Sequence, residues 1–207
     1  MSLRLNGSNS GFSEITAPAT AGDNTLTLPA GNGSANQYLA NGSTAGQLAF
    51  VTPPGSFTSY AVICDEKGHD TDGGTFTSGD WRTRDLNTEI IDPDGIVSIS
   101  SNQFTLGAGN YLIEWSAPGY HVDRHFARLR NITSSSTDGL GTVMYANSTN
   151  TVMNRSQGYA RVTLTGSTTY EIQHRSQTSQ TGNGFGIDTG VSGVNSRYTV
   201  VEIYKEA

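Results

Sequence analysis

The chain has 207 residues and a net charge of −6, and only 14% of it is Asp, Glu, Lys or Arg, against roughly 25% in an average soluble domain. That balance argues against a nucleic-acid electrostatic footprint, which needs clustered Lys and Arg. Cys64 is the single cysteine, which excludes an intrachain disulfide and a cysteine-based zinc cage.

The sequence turns polar immediately after Met1, with no apolar stretch suited to a signal peptide or a membrane span. The expectation is synthesis in a cytoplasm and, for any role outside a cell, a non-secretory exit. Residues 1–57 carry one Arg, no Lys and two acids, Glu14 and Asp23. Phe12–Ile15 and Thr25–Pro29 alternate like strands, whereas 30–35 and 40–46 read as turns. Gln37-Tyr38-Leu39 and Gln47-Leu48-Ala49-Phe50 form a weak internal echo. So few apolar residues do not offset a backbone ordering entropy of roughly 1–2 kcal/mol per residue. The segment is therefore predicted to be an extended arm that is flexible, or ordered by lying on another surface or by winding with copies of itself. Leu3, Leu5, Phe12, Ile15, Leu26 and Leu28 are its candidate docking residues. Thr52-Pro53-Pro54-Gly55 marks its end.

Residues 58–207 form the second predicted domain. Twenty-five glycines in the chain and abundant Ser, Thr and Asn, with no helical periodicity, point to an all-β fold. Strands are predicted at 60–64, 81–84, 96–100, 103–107, 110–117, 124–131, 141–145, 158–165, 169–175, 184–187 and 197–205. Turns such as Asp92-Pro93-Asp94-Gly95 and 134–139 separate them. Short strands at this spacing imply a sandwich or jelly roll. Cys64 lies in the apolar run Ala61–Cys64 and is expected to be a buried thiol.

The period of two assigns side chains to faces. Tyr111, Ile113 and Trp115 share one, as do Tyr170 and Ile172. In the last strand Tyr198, Val200, Glu202 and Tyr204 alternate with Thr199, Val201, Ile203 and Lys205, so both faces carry bulky groups. A sheet with one face in its own core and the other against a sister subunit would account for this. Tyr111, Ile113, Trp115, Tyr170, Ile172, Tyr198, Val200 and Tyr204 are thus the candidate subunit-interface residues. A central strand lying under loops is the alternative.

Phe104-Thr105-Leu106-Gly107-Ala108-Gly109-Asn110-Tyr111-Leu112-Ile113-Glu114-Trp115 resembles the C1q-domain signature, with Phe104 and the Gly109-x-Tyr111 step matching. The order of later strands, closing with Arg197–Tyr204, is also similar over residues 59–207. The resemblance implies a C1q/TNF-like jelly-roll β-sandwich that assembles as a homotrimer; no collagen-like stalk precedes it. Ile15–Ala30, followed by Gly-Ser-rich turns and Gln47-Leu48, resembles segments of bacteriophage tail fibres and virion proteins, including those of marine cyanophages. Together the resemblances imply a trimeric virion structural protein, a tail fibre or receptor-binding appendage, attached by residues 1–57 to other virion proteins. Capsid decoration is the first alternative and a cellular C1q-like glycan-binding module the second. No membrane insertion is implied.

No Gly-x-Ser-x-Gly elbow, P-loop or His-Glu-x-x-His occurs. The chain is read as non-enzymatic, with no cofactor and no metal. His69-Asp70-Thr71-Asp72-Gly73-Gly74 begins like a calcium loop but lacks the terminal Glu, and is read as a polar turn. Tyr120, His121, Asp123, Arg124 and His125 concentrate aromatic and charged groups in one short stretch. They are the candidate contacts to a host surface glycan or receptor.

Overall fold

The computed structural model describes residues 3–6, 8–15, 20, 22–23, 25–52 and 57–207. Two compact units divide the chain, Met1–Pro54 and Gly55–Ala207, and among the described residues there is no helix.

In the first unit, β1 (Leu3–Asn6) and β2 (Phe12–Ile15) form an antiparallel hairpin with Leu3 opposite Ile15. Arg4 pairs with Glu14 at 3.3 Å and its guanidinium lies 3.9 Å above the Phe12 ring. β3 (Tyr38–Asn41) pairs with β4 (Leu48–Val51), so the two echoed segments are the arms of one hairpin. Ala40 and Asn41, expected in a turn, belong to it. Thr27 makes a single parallel bridge to Gln47 where a strand was expected. Phe12, Ile15, Leu26 and Leu28 are all exposed. Leu3 and Leu5 lie in β1, and their side chains are outside the described ones.

The second unit is a two-sheet sandwich. Five strands make the first sheet in the order β14 (Met153–Leu164), β10 (Gly109–Tyr120), β16 (Ser196–Glu206), β5 (Phe57–Lys67) and β7 (Thr88–Ile91). The second runs β12 (Ser136–Leu140), β11 (Asp123–Asn131), β15 (Thr168–Ser176), β9 (Gln103–Leu106) and β8 (Val97–Ser100). There β13 (Met144–Ala146) pairs with β11 and β6 (Arg82–Thr83) with β15. All these pairings are antiparallel. From β9 onward the chain passes back and forth between the sheets, and the first and last long strands, β5 and β16, lie side by side. That wrapping is a jelly roll.

Turn chemistry fixes the joins. Asp92 accepts backbone N–H bonds from Ile96 and Val97, both 2.9 Å, and Gly95 takes φ +64°. Ser101 and Asn102, both at positive φ, close the β8–β9 hairpin, the geometry whose twist suits paired strands. Two predicted boundaries fail for local reasons. The glycine- and serine-rich segment at 134–139 supplies most of β12. Residues 184–187 are no strand, because Gly184 and Gly186 close a loop that buries Phe185.

Between the sheets, Ala61, Ile63, Tyr111, Ile113, Trp115, Val162, Val201 and Ile203 meet Phe104, Leu106, Leu129, Tyr170 and Ile172. Each large side chain here contributes about 1.5–3 kcal/mol by leaving water. Cys64 is buried as expected, and burial pushes its thiol up to about 11.

Candidate functional site

The side of the five-stranded sheet that faces away from the core carries exposed aromatic side chains. Strand register puts Leu112 opposite Tyr204, Glu114 opposite Glu202 and Ser116 opposite Val200 on β10 and β16. β5 adds Tyr60 opposite Tyr204, and β14 adds Tyr159 opposite Glu114. Phe57 packs its ring 5.1 Å from that of Tyr204. Tyr60 and Phe57 are exposed, and Tyr159 is 76% exposed. Leu140, Val143 and Tyr145, on the segment that leads toward β14, are exposed as well.

Within this apolar surround sits a concavity of about 550 Å³ lined by Glu114, Ser116, Arg155, Gln157, Tyr159 and Glu202. Glu114 and Glu202 are like charges on adjacent strands, which is locally unfavourable. Tyr204 donates its hydroxyl to Glu202 at 2.7 Å, and that bond pushes the phenol up to about 12. Arg155 donates to Ser116 Oγ (2.9 Å) and to the Tyr198 carbonyl (2.6 Å). The hollow is thus lined by one cation, Arg155, and two carboxylates, Glu114 and Glu202.

The structure corrects six of the eight interface candidates. Tyr111, Ile113, Trp115, Tyr170, Ile172 and Tyr198 are at most 3% exposed and pack inside their own subunit. Only Val200 and Tyr204 stay on the outward face. A period of two shows which residues share a face but not which face is inward. Tyr198 also leaves the register of Val200, because β16 carries a bulge between Arg197 and Val200.

The 120–125 stretch is a tight connection from β10 to β11, with His121 and Asp123 at positive φ. Tyr120 and His125 are buried, which removes them as surface contacts. The Tyr120 and His121 rings stack 4.1 Å apart. Asp123 accepts bonds from Thr178 Oγ1 (2.5 Å) and the Ser148 amide (3.0 Å), and these hold its carboxyl below the usual range. Of the five, Arg124 alone is exposed.

Beneath that turn lies a buried polar cluster that sequence reasoning did not single out. Arg84 is fully buried and donates to Thr199 Oγ1 (2.7 Å), the Pro118 carbonyl (3.1 Å) and the Phe185 carbonyl (2.8 Å). Its guanidinium lies 4.0 Å from the Phe185 ring centre, and burial draws its pKa down to about 9. Nothing in Arg82-Thr83-Arg84-Asp85 separates Arg84 from its charged neighbours. His69, Asp70 and Asp188 bring one ligand atom each within 4.8 Å of one another. The Asp-x-Asp spacing is not what gathers them: Asp72 instead accepts the Asp188 amide at 2.8 Å.

No family model and no curated protein matches the chain. Solved structures similar to it include the globular domain of zebrafish complement 1qA protein, at 15% identity and a TM-score of 0.46, over 71% of this chain and 96% of that one. Murine APRIL at pH 5.0 is similar at 9% identity and a TM-score of 0.46, over 71% and 98%. Murine APRIL at pH 8.0 has 9% identity and a TM-score of 0.44 over the same shares.

Proposed function

We propose that the jelly roll is a non-enzymatic, self-assembling head that closes as a homotrimer in a bacteriophage virion, as part of a tail fibre or receptor-binding appendage. The observation that carries self-assembly is the outward face of the five-stranded sheet. Tyr60, Phe57, Leu112, Val200 and Tyr204 form an apolar surface there, while Tyr159, Leu140 and Val143 project from the β12–β14 side. An apolar surface of this kind, running from β5 across to β14, suits burial against a sister subunit. Threefold closure follows from the resemblance of Phe104–Trp115 to the C1q signature. The virion role follows from that of Ile15–Ala30 to phage tail segments, and the exposed Phe12, Ile15, Leu26 and Leu28 suit docking on a particle.

Mass measurement at micromolar concentration tests the assembly: three copies are expected, and a persistent monomer removes it. Purified particles test the role. Tens of copies fit a fibre, hundreds fit the alternative of capsid decoration, and absence from the particle removes both.

A further inference from the structure

The outward side of the second sheet has a different chemistry. Along β11 the inward residues are His125, Ala127, Leu129 and Asn131, all buried, so Arg124, Phe126, Arg128 and Arg130 point outward. On β15, Arg175 lies opposite Phe126, Gln173 opposite Arg128 and Glu171 opposite Arg130. Four of the chain's 12 cationic side chains thus share one face of a protein whose net charge is −6. Outward positions on a strand repeat about every 6.6 Å, so the arginines form a row.

Among the described residues, none of these four arginines lies within ion-pair distance of a carboxylate, whereas Arg4, Arg161 and Arg197 each have one. The one carboxylate in the row, Glu171, is occupied by the side-chain amides of Gln103 and Gln173. Neutral groups hold Arg124, Arg128 and Arg175 instead. Arg128 donates to Gln173 Oε1 and Thr137 Oγ1, with its guanidinium 3.9 Å above the Trp81 ring. Arg124 donates to Gln177 Oε1 at 3.1 Å. Trp81 and Phe126 meet edge to face at 5.0 Å in the middle of the row.

We infer that this face binds an acidic polysaccharide. Guanidinium forks that lie outside ion-pair distance of any carboxylate among the described residues match carboxylate or sulfate groups. The aromatic pair offers an apolar seat for a sugar ring, and the glutamine amides and threonine hydroxyls suit sugar hydroxyls. A nucleic acid fits less well. Single-stranded nucleic acid is held by a series of aromatic platforms on which successive bases stack, and this row has one aromatic pair, Trp81 and Phe126. The inference stands on a single subunit and does not rest on threefold assembly.

The test uses the full chain with dextran sulfate, polygalacturonate, neutral dextran and a single-stranded 20-nucleotide DNA at moderate salt. At least one acidic polymer is expected to bind and dextran is not. The double variant R124Q/R130Q is expected to weaken binding at least tenfold and R130Q alone severalfold. R197Q removes the same charge from the other sheet and is expected to change it less than twofold. The inference is overturned if neither acidic polymer binds, if dextran or the DNA binds as tightly, or if R197Q weakens binding as much as R130Q. Circular dichroism identical to the parent chain confirms that the variants are folded.

Discussion

His125 Nδ1 lies 2.9 Å from His174 Nε2 in a site that water does not reach. The surrounding bonds fix both tautomers. Asn154 donates its amide to the Tyr145 carbonyl, which turns its Oδ1 toward His125 Nε2 at 2.7 Å. His125 therefore carries its proton on Nε2, and its Nδ1 accepts from His174 Nε2–H. The Nδ1 of His174 is left as a buried lone pair without a partner.

Acid should destabilise the protein through this pair. Burial holds His174 well below its ordinary value, aided by the Arg84 cation and by His125, and burial lowers His125 too. The unfolded chain binds protons near pH 6.5 that the folded chain refuses. This contribution is complete above that pH and falls as pH drops toward the folded values, by at most about 1.4 kcal/mol per pH unit for a histidine that is protonated in the unfolded chain and neutral in the folded one. Urea midpoints at pH 7.5 and 5.5 measure this; equal midpoints would refute the neutral pair. His174→Gln should flatten the dependence.

Arg84→Ala should cost about 3–5 kcal/mol, the loss typical of stranding buried polar partners. Arg84→Lys should recover only part, since an ammonium does not reproduce a fork aimed at Thr199, Pro118 and Phe185. Denaturant unfolding of the three proteins checks the order. A lysine variant as stable as the parent would contradict it.

Gly158→Ala should destabilise by about 1–3 kcal/mol through overpacking. Gly158 is opposite Trp115 in the β10–β14 register, and a Cβ there would sit 2.2 Å from Trp115 Cζ2. Gly139 crowds the same indole from the other sheet, so the ring has little room to move. A lower thermal midpoint with an altered near-ultraviolet tryptophan signal is expected.

Leu112→Glu probes the proposed assembly. It places a third carboxylate beside Glu114 and Glu202 on the outward face. Light scattering should report monomers, while subunit stability changes by about 1 kcal/mol or less, as at other surface positions. A variant that remains trimeric would move the interface elsewhere.

Much of the architecture was legible because alternation survives wherever a strand is half buried. The segments at 103–107, 110–117, 124–131, 169–175 and 197–205 all fall on observed strands. β7 was missed because Thr88–Ile91 is short and largely exposed, so no burial constraint shapes its pattern. β12 was missed because its residues are those of a turn. The candidate surface was less legible. Trp115 and Tyr170 look alike whether they seal a core or an interface, and the inward side depends on the partner sheet. Arg124 was found only as part of a cluster: the strand at 124–131 was legible, but which of its faces points outward, and that Arg175 joins the row, depends on the pairing with β15.

The chain's two tryptophans divide the work of reporting on it. Trp115 is wedged between glycines in the interior, so its emission should follow global unfolding. Trp81 lies half-buried under Arg128 on the opposite sheet, where an arriving anion would draw the guanidinium from its ring. Replacing Trp115 by Phe would leave one tryptophan, excited apart from the nine tyrosines at the red edge of absorption, that watches the arginine row with no label attached.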